Sequence, residues 1–173
     1  MKPRALQAAD EGRIQGFLGR IPEGDRTFFK ENLDETTVAA WLTEGRAHRA
    51  ILTDDDGEVR AYAAVIPGVG WSSHVGEFRL VVDPGSRRAG LGRLMARWGL
   101  VEAVRMGLSK LQVELIADQE PAIAMFHDLG FEGEALLKDH VRDRGGELRD
   151  LILLAHDVGD NAGSLAATGL DQV

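Results

Sequence analysis

Between Leu80 and Gly92 the chain changes character twice. The apolar run Leu80-Val81-Val82 stops at Asp83-Pro84-Gly85-Ser86, two arginines follow, and Ala89-Gly90-Leu91-Gly92 opens a new pattern. Proline has no amide to give a sheet ladder, and Pro-Gly marks a turn, so a strand ends at Val82. Leu91, Leu94, Met95, Trp98 and Val101 then recur at helical spacing. A strand feeding a helix through so short a loop demands a sheet with a helix laid on its face. It also leaves the amides of the first helical turn unpaired, at the positive end of the helix dipole. Glycines at Gly90 and Gly92 let a phosphate approach that backbone, so the junction is a candidate anion cradle.

The rest of the chain supplies the sheet and its cover. Met1 to about Gly45 reads as helical and amphipathic, broken at Ile21-Pro22-Glu23-Gly24-Asp25, with a second helix from Asp34 or Thr36 and Gly45 as its C-cap. His48–Thr53 and Val59–Ile66 read as strands around the Asp54-Asp55-Asp56-Gly57 turn, and His74–Val82 as a third strand. After the Gly90–Met106 helix come a strand at Leu111–Ile116, a helix near Pro121 that ends at Gly130, and two strands around Arg144-Gly145-Gly146. The expected fold is mixed α+β, a mostly antiparallel sheet flanked by helices on both faces. Residues 1–157 form one domain, and 158–173, small and polar, read as a flexible tail.

Composition narrows the chemistry. The chain has 173 residues, a formal net charge of −8 and no cysteine. Thiolate metal sites, disulfides and a thiol nucleophile are excluded. A chain this acidic is a poor general nucleic-acid binder. No apolar run approaches ~18 residues, so no membrane span is expected, and the protein reads as cytoplasmic. Between Gly85 and Lys110 the balance inverts: Arg87, Arg88, Arg93, Arg97, Arg105 and Lys110 face one acid, Glu102. A basic island in an acidic chain suits one specific anionic ligand, although a solvated helix face has the same composition. The Walker ending Gly-Lys-Ser/Thr is absent, and the dinucleotide fingerprint would need a third glycine after a first strand.

Arg87, Gly90 and Gly92 reproduce the Arg/Gln-x-x-Gly-x-Gly/Ala loop, and Gln119 to Phe131 contains a short helix closing on Leu129-Gly130-Phe131. On both motifs the chain resembles the GCN5-related N-acetyltransferases from roughly Ala47 to Asp157. The resemblance implies acetyl-coenzyme A as co-substrate. Its pyrophosphate would lie on the amides of Arg88, Ala89, Gly90, Leu91, Gly92 and Arg93, with Arg87 adding charge, and its pantetheine arm along the backbone of Val81 and Val82. The neighbouring parallel strands would have to splay to admit that arm, and one β amide would polarise the thioester carbonyl. Gln119 aligns with the family's asparagine and would hydrogen-bond the pantetheine arm; Phe126 aligns with its tyrosine acid and would still line the cofactor, but the usual proton donor is missing. Of the substitutes, His127 points about 100° away from Phe126 on its helix, and Tyr62 reads as a packed strand residue.

Glu77, on the same strand, is the expected base toward an amine, and pairing with Arg79 or another cation is the alternative. Alternation puts Glu77, Arg79 and Val81 on one face of the strand and Phe78, Leu80 and Val82 on the other. Phe28, Phe29, Trp41 and Trp71 are candidate walls of an acceptor pocket. Trp71, Ser72 and His74 read equally as a surface loop. His48, His140 and His156 lack ligand spacing, so no metal is expected. The partner implied is an amine, a small molecule or a protein lysine, with no nucleic acid or membrane, and a homodimer is left open. The two functional readings are an N-acetyltransferase and a non-catalytic acyl-CoA sensor.

Overall fold

The computed structural model describes residues 1–31 and 33–159. Seven strands form one sheet in the order β1-β2-β3-β4-β5-β7-β6. They are β1 (Arg4–Ala5), β2 (His48–Thr53), β3 (Val59–Pro67), β4 (Val75–Val82), β5 (Lys110–Ile116), β6 (Glu132–Arg142) and β7 (Leu148–Asp157). Four helices cover it: α1 (Glu11–Arg20), α2 (Glu35–Thr43), α3 (Leu91–Arg105) and α4 (Glu120–Asp128). Every neighbouring pair is antiparallel except β4 with β5. That one parallel pair is the crossover that α3 makes possible. The expected mixed, mostly antiparallel architecture with helices on both faces is therefore present.

The sheet divides the apolar residues into two cores. On one face Phe78, Met95, Leu100, Leu111, Phe126 and Phe131 are buried between the strands and α3 and α4. On the other, Ile14, Phe17, Val38 and Trp41 from α1 and α2 close over Ile51, Tyr62 and Ala64. Alternation along β4 decides which residue serves which side. Phe78, Leu80 and Val82 join the first core, and Val81 packs against the second.

The N-terminal expectation needs correction at both ends. Arg4–Ala5 is not helical but an edge strand paired to Ile51 and Ala50. Two residues carry no readable periodicity, and the ladder is set by β2. At the other end α2 starts as expected, with the Asp34 carboxylate accepting from the Thr37 amide at 2.9 Å. It stops at Thr43, before Gly45, with Glu44 in an extended conformation. Val158, assigned by sequence to the tail, is fully buried, and its amide donates to the Ser109 carbonyl at 2.9 Å. Residues 160–173 of that tail lie outside the described residues.

Candidate active site

The parallel pair is zipped for only four rungs. Val75 faces Lys110, Gly76 Leu111, Glu77 Gln112 and Phe78 Val113, and there the pairing stops. Beyond it β4 runs on to Val82 held by β3 alone, and β5 runs on to Ile116 held by β7 alone. The sheet thus forks at its centre, which is the splay the sequence resemblance called for. Backbone groups lining the two prongs are turned toward the gap, as strand geometry requires.

At the open end of the fork lies the loop into α3. Asp83 fixes where it begins. Its side chain is nearly fully buried, accepts from the Gly85 amide at 2.9 Å and takes the Arg20 Nε at 2.8 Å. Arg20 also donates to the Val59 carbonyl, so α1, β3 and the loop meet at one carboxylate. Further on, Arg88 (φ 64°) and Gly90 (φ 79°) both take the left-handed conformation. Glycine bears this without cost, whereas Arg88 is held there against its preference. The first helical bond runs from the Leu94 amide to the Gly90 carbonyl at 3.0 Å. The amides of Leu91, Gly92 and Arg93 before it have no intrahelical partner. Two of the loop's basic side chains are braced by acids, Arg87 by Asp25 and Arg93 by Asp128 of α4. Helix-start amides beside arginines are suited to a phosphate.

The opposite side of the sheet, toward α1 and α2, carries a compact charge cluster at the apex of the fork. Glu77 Oε1 accepts from Lys30 Nζ at 2.8 Å and from Arg79 Nε at 2.8 Å. Lys30 Nζ also lies 2.8 Å from Glu114 Oε2 on β5, so it bridges β4 and β5. Arg79 in turn pairs with Glu31. Burial alone would push the Glu77 carboxyl up, but the Arg79 and Lys30 bonds outweigh it and hold it below the ordinary glutamate value. Burial likewise disfavours the Lys30 ammonium, and Glu114 and Glu77 outweigh that and raise it. Both readings of Glu77 meet here: it is ion-paired with Arg79, and it stands beside the fork. Lys30, Glu31 and Glu114 were not singled out from sequence. An acid within an apolar strand reads as simple alternation, and nothing local ties Lys30 to β4.

The other candidates fall in varied places. Phe126 is 1% exposed, held edge-on by Phe78 and Phe131 with centroids at 6.1 and 5.0 Å. Its ring is a core element, packed behind the fork's last paired rung. Gln119 precedes α4, and its Oε1 accepts from the Ile116 amide at 2.9 Å, tying off the end of β5. His127 Nδ1 is engaged by the Phe131 carbonyl. Tyr62 is buried and stacked on Trp41 at 4.6 Å, and burial raises its phenol above the usual range. Trp41 and Phe29 pack into the second core, and Trp41 also borders a cavity with Leu6, Ala47 and Trp98. Trp71 is 95% exposed on a short 3-10 turn. The side chain of Phe28 lies outside the described residues. Among the described residues no group of three His, Cys, Asp or Glu is placed to hold a metal ion. No described helix is long and apolar enough to cross a membrane.

The acetyltransferase (GNAT) family profile matches residues 17–131, and the chain belongs to that family. Mycothiol acetyltransferase of Kocuria rhizophila is 32% identical over 117 residues, 66% of this chain and 36% of its own length. The [ribosomal protein bS18]-alanine N-acetyltransferase of Escherichia coli K12 is 31% identical over 78 residues, 45% of this chain and 52% of its own. The chain thus spans about a third to a half of these relatives. Among solved structures, YncA from Salmonella typhimurium, determined with its cofactor acetyl-CoA, matches with a TM-score of 0.76. It is 20% identical, over 91% of this chain and 93% of that one, and so supports the fold.

Proposed function

We propose that the chain transfers an acetyl group from acetyl-CoA to a primary amine by direct attack in a ternary complex. The observation that carries this is the fork, which opens between β4 and β5 with unpaired helix-start amides at its mouth and carboxylates at its apex. Acetyl-CoA supplies the activated acyl carbon, as a thioester whose sulfur leaves readily. The amides from Arg88 to Arg93 hold its pyrophosphate, and Arg87 adds charge beside it. The backbone of Val81 and Val82 pairs with the pantetheine arm, and an amide of β4 donates to the carbonyl oxygen as negative charge develops on it. Gln119 supports the other prong of the fork by fixing the end of β5.

On the other face Glu77 orients the acceptor nitrogen and receives its proton, directly or through water. Held ionised by Arg79 and Lys30, it is a weak base and passes the proton to solvent. Phe126 has no proton to give, so the thiolate leaves as such and is protonated from water. A net charge of −8 and the carboxylates at the apex favour a cationic acceptor, a protein amine or a small amine. The alternative, an acyl-CoA sensor without catalysis, is favoured by one observation, the sealed phenylalanine where the resemblance expects a tyrosine.

The test pairs calorimetry of acetyl-CoA with thiol release over a panel of amines. The chain has no cysteine to react with the thiol reagent. Uptake with amine-dependent release is expected, and Glu77→Gln should lower turnover far more than acetyl-CoA affinity. Uptake without release for any amine would leave the sensor, and no uptake would end both readings.

A further inference from the structure

In the proposed reaction Lys30 figures only as a charge partner of Glu77. Its Nζ is 2.8 Å from Glu77 Oε1 on β4, just inside the seam, and 2.8 Å from Glu114 Oε2 on the β5 prong. A paired-carboxylate seat at the fork's apex is what an incoming ammonium would need, and a primary amine of the chain itself sits in it. Lys30 belongs to neither a helix nor a strand, and its side chain is 43% exposed, so no core locks it there. The direction of the fork supplies the rest. From Val82 back to Phe78 is four residues, roughly 13 Å of strand. An extended arm anchored at the α3 loop and laid along that prong brings its acyl end toward the apex, where Lys30 waits.

We propose that Lys30 is itself an acyl acceptor, modified in cis by acetyl-CoA bound in the fork. This rests on the donor reading above. The Lys30 ammonium first gives a proton through Glu77 or Glu114 to water. The freed lone pair forms a C–N bond at the thioester carbonyl, the nitrogen gives up its second proton to water, and the C–S bond breaks. The departing thiolate takes a proton from solvent, so the products are N-acetyl-lysine and coenzyme A. The neutral amide no longer bridges two carboxylates, which leaves the Glu77–Glu114 pair open to an outside ammonium. Self-acetylation thus removes the chain's own occupant from the acceptor side.

The experiment uses the full chain and acetyl-CoA with no added amine. Thiol release is followed over time, and the product is digested and mapped by mass spectrometry. One acetyl group per chain is expected, on Lys30, with the other lysines (Lys2, Lys110 and Lys138) unmodified. The first-order rate constant should not change when protein concentration is varied about tenfold, the mark of an intramolecular step. Lys30→Arg keeps a cation between the carboxylates and should keep the acetyl-CoA heat of binding, yet lose the stoichiometric thiol release. Glu114→Gln removes one of the two charge-assisted bonds that hold the amine as ammonium, so it should speed the modification several-fold. Uptake of acetyl-CoA with Lys30 left unmodified would overturn the proposal. So would equal labelling of all lysines, or a rate constant that scales with protein concentration. Absence of acetyl-CoA uptake would instead refute the donor reading on which it stands.

Discussion

Gly99 of α3 lies against Phe78, the last paired rung before the fork. A methyl group built there would lie 2.3 Å from Phe78 Cε2, 2.7 Å from Cδ2 and 3.0 Å from Cζ. Phe78 cannot easily yield, because it is 1% exposed and faces the Phe126 ring edge-on. Overpacking of this kind costs about 1–3 kcal/mol, and contact with three ring atoms puts Gly99→Ala near the upper end. Alanine gains about 1 kcal/mol over glycine in a helix, so the net loss is about 2 kcal/mol. For a domain of this size that lowers Tm by about 4–8 °C. Gly12 in α1 is the control, since a methyl group there would have no neighbour within 4 Å. Gly12→Ala should raise Tm by about 2–4 °C. Thermal unfolding of the two variants side by side should therefore show opposite signs. Phe78 forms the last rung before the fork, so Gly99→Ala should also weaken acetyl-CoA binding by calorimetry. A Gly99→Ala protein that melts at or above the parent temperature would refute the claim that helix and ring are in hard contact.

Two further outcomes follow from the charges. Glu77 is held below its unfolded value of 4.5, so its pairing contributes fully above that pH and is lost as pH falls through the lower folded value. Lys30 is held above 10.5, so its contribution is complete below that pH and fades as pH rises through the higher folded value. Lys30→Met should flatten both flanks of the stability–pH curve from urea unfolding, and a curve superimposable on the parent's would contradict the pairing. Arg20→Ala removes the 2.8 Å partner of buried Asp83 and leaves it the Gly85 amide and Arg60 at 3.8 Å. The expected cost is about 1–3 kcal/mol, partly recovered when Asp83→Asn is added. Equal stability of the single variant and the parent would show that the loop is fixed by other means.

What the sequence disclosed was local. The turn at Asp83-Pro84-Gly85, the glycines at Gly90 and Gly92 and the helical period after them speak through backbone preference, so the strand–loop–helix junction could be read directly. The alternation along β4 assigned Glu77 and Phe78 to opposite faces for the same reason. Long-range pairing was silent. Asp83 reads as a turn former, and only the folded chain brings Arg20 to it, 63 positions away. Glu114 and Lys30 acquire meaning when β5 is laid beside β4, a neighbourhood set by the α3 crossover and not by any nearby residue. Phe126 was found at its motif position, yet its burial depends on Phe78 and Phe131 from other elements.

The four-rung seam between β4 and β5 has a consequence for what this protein can admit. Strand edges normally lie at the rim of a sheet, where any extended chain can add itself and where aggregation begins. Here two such edges are created in the middle, hemmed by helices on both sides, so a broad partner has no way in. A slender molecule with amides of its own can still complete the ladder. On the proposed function, a preference for a thread-like donor would follow from where the zipper ends, before any side chain is consulted.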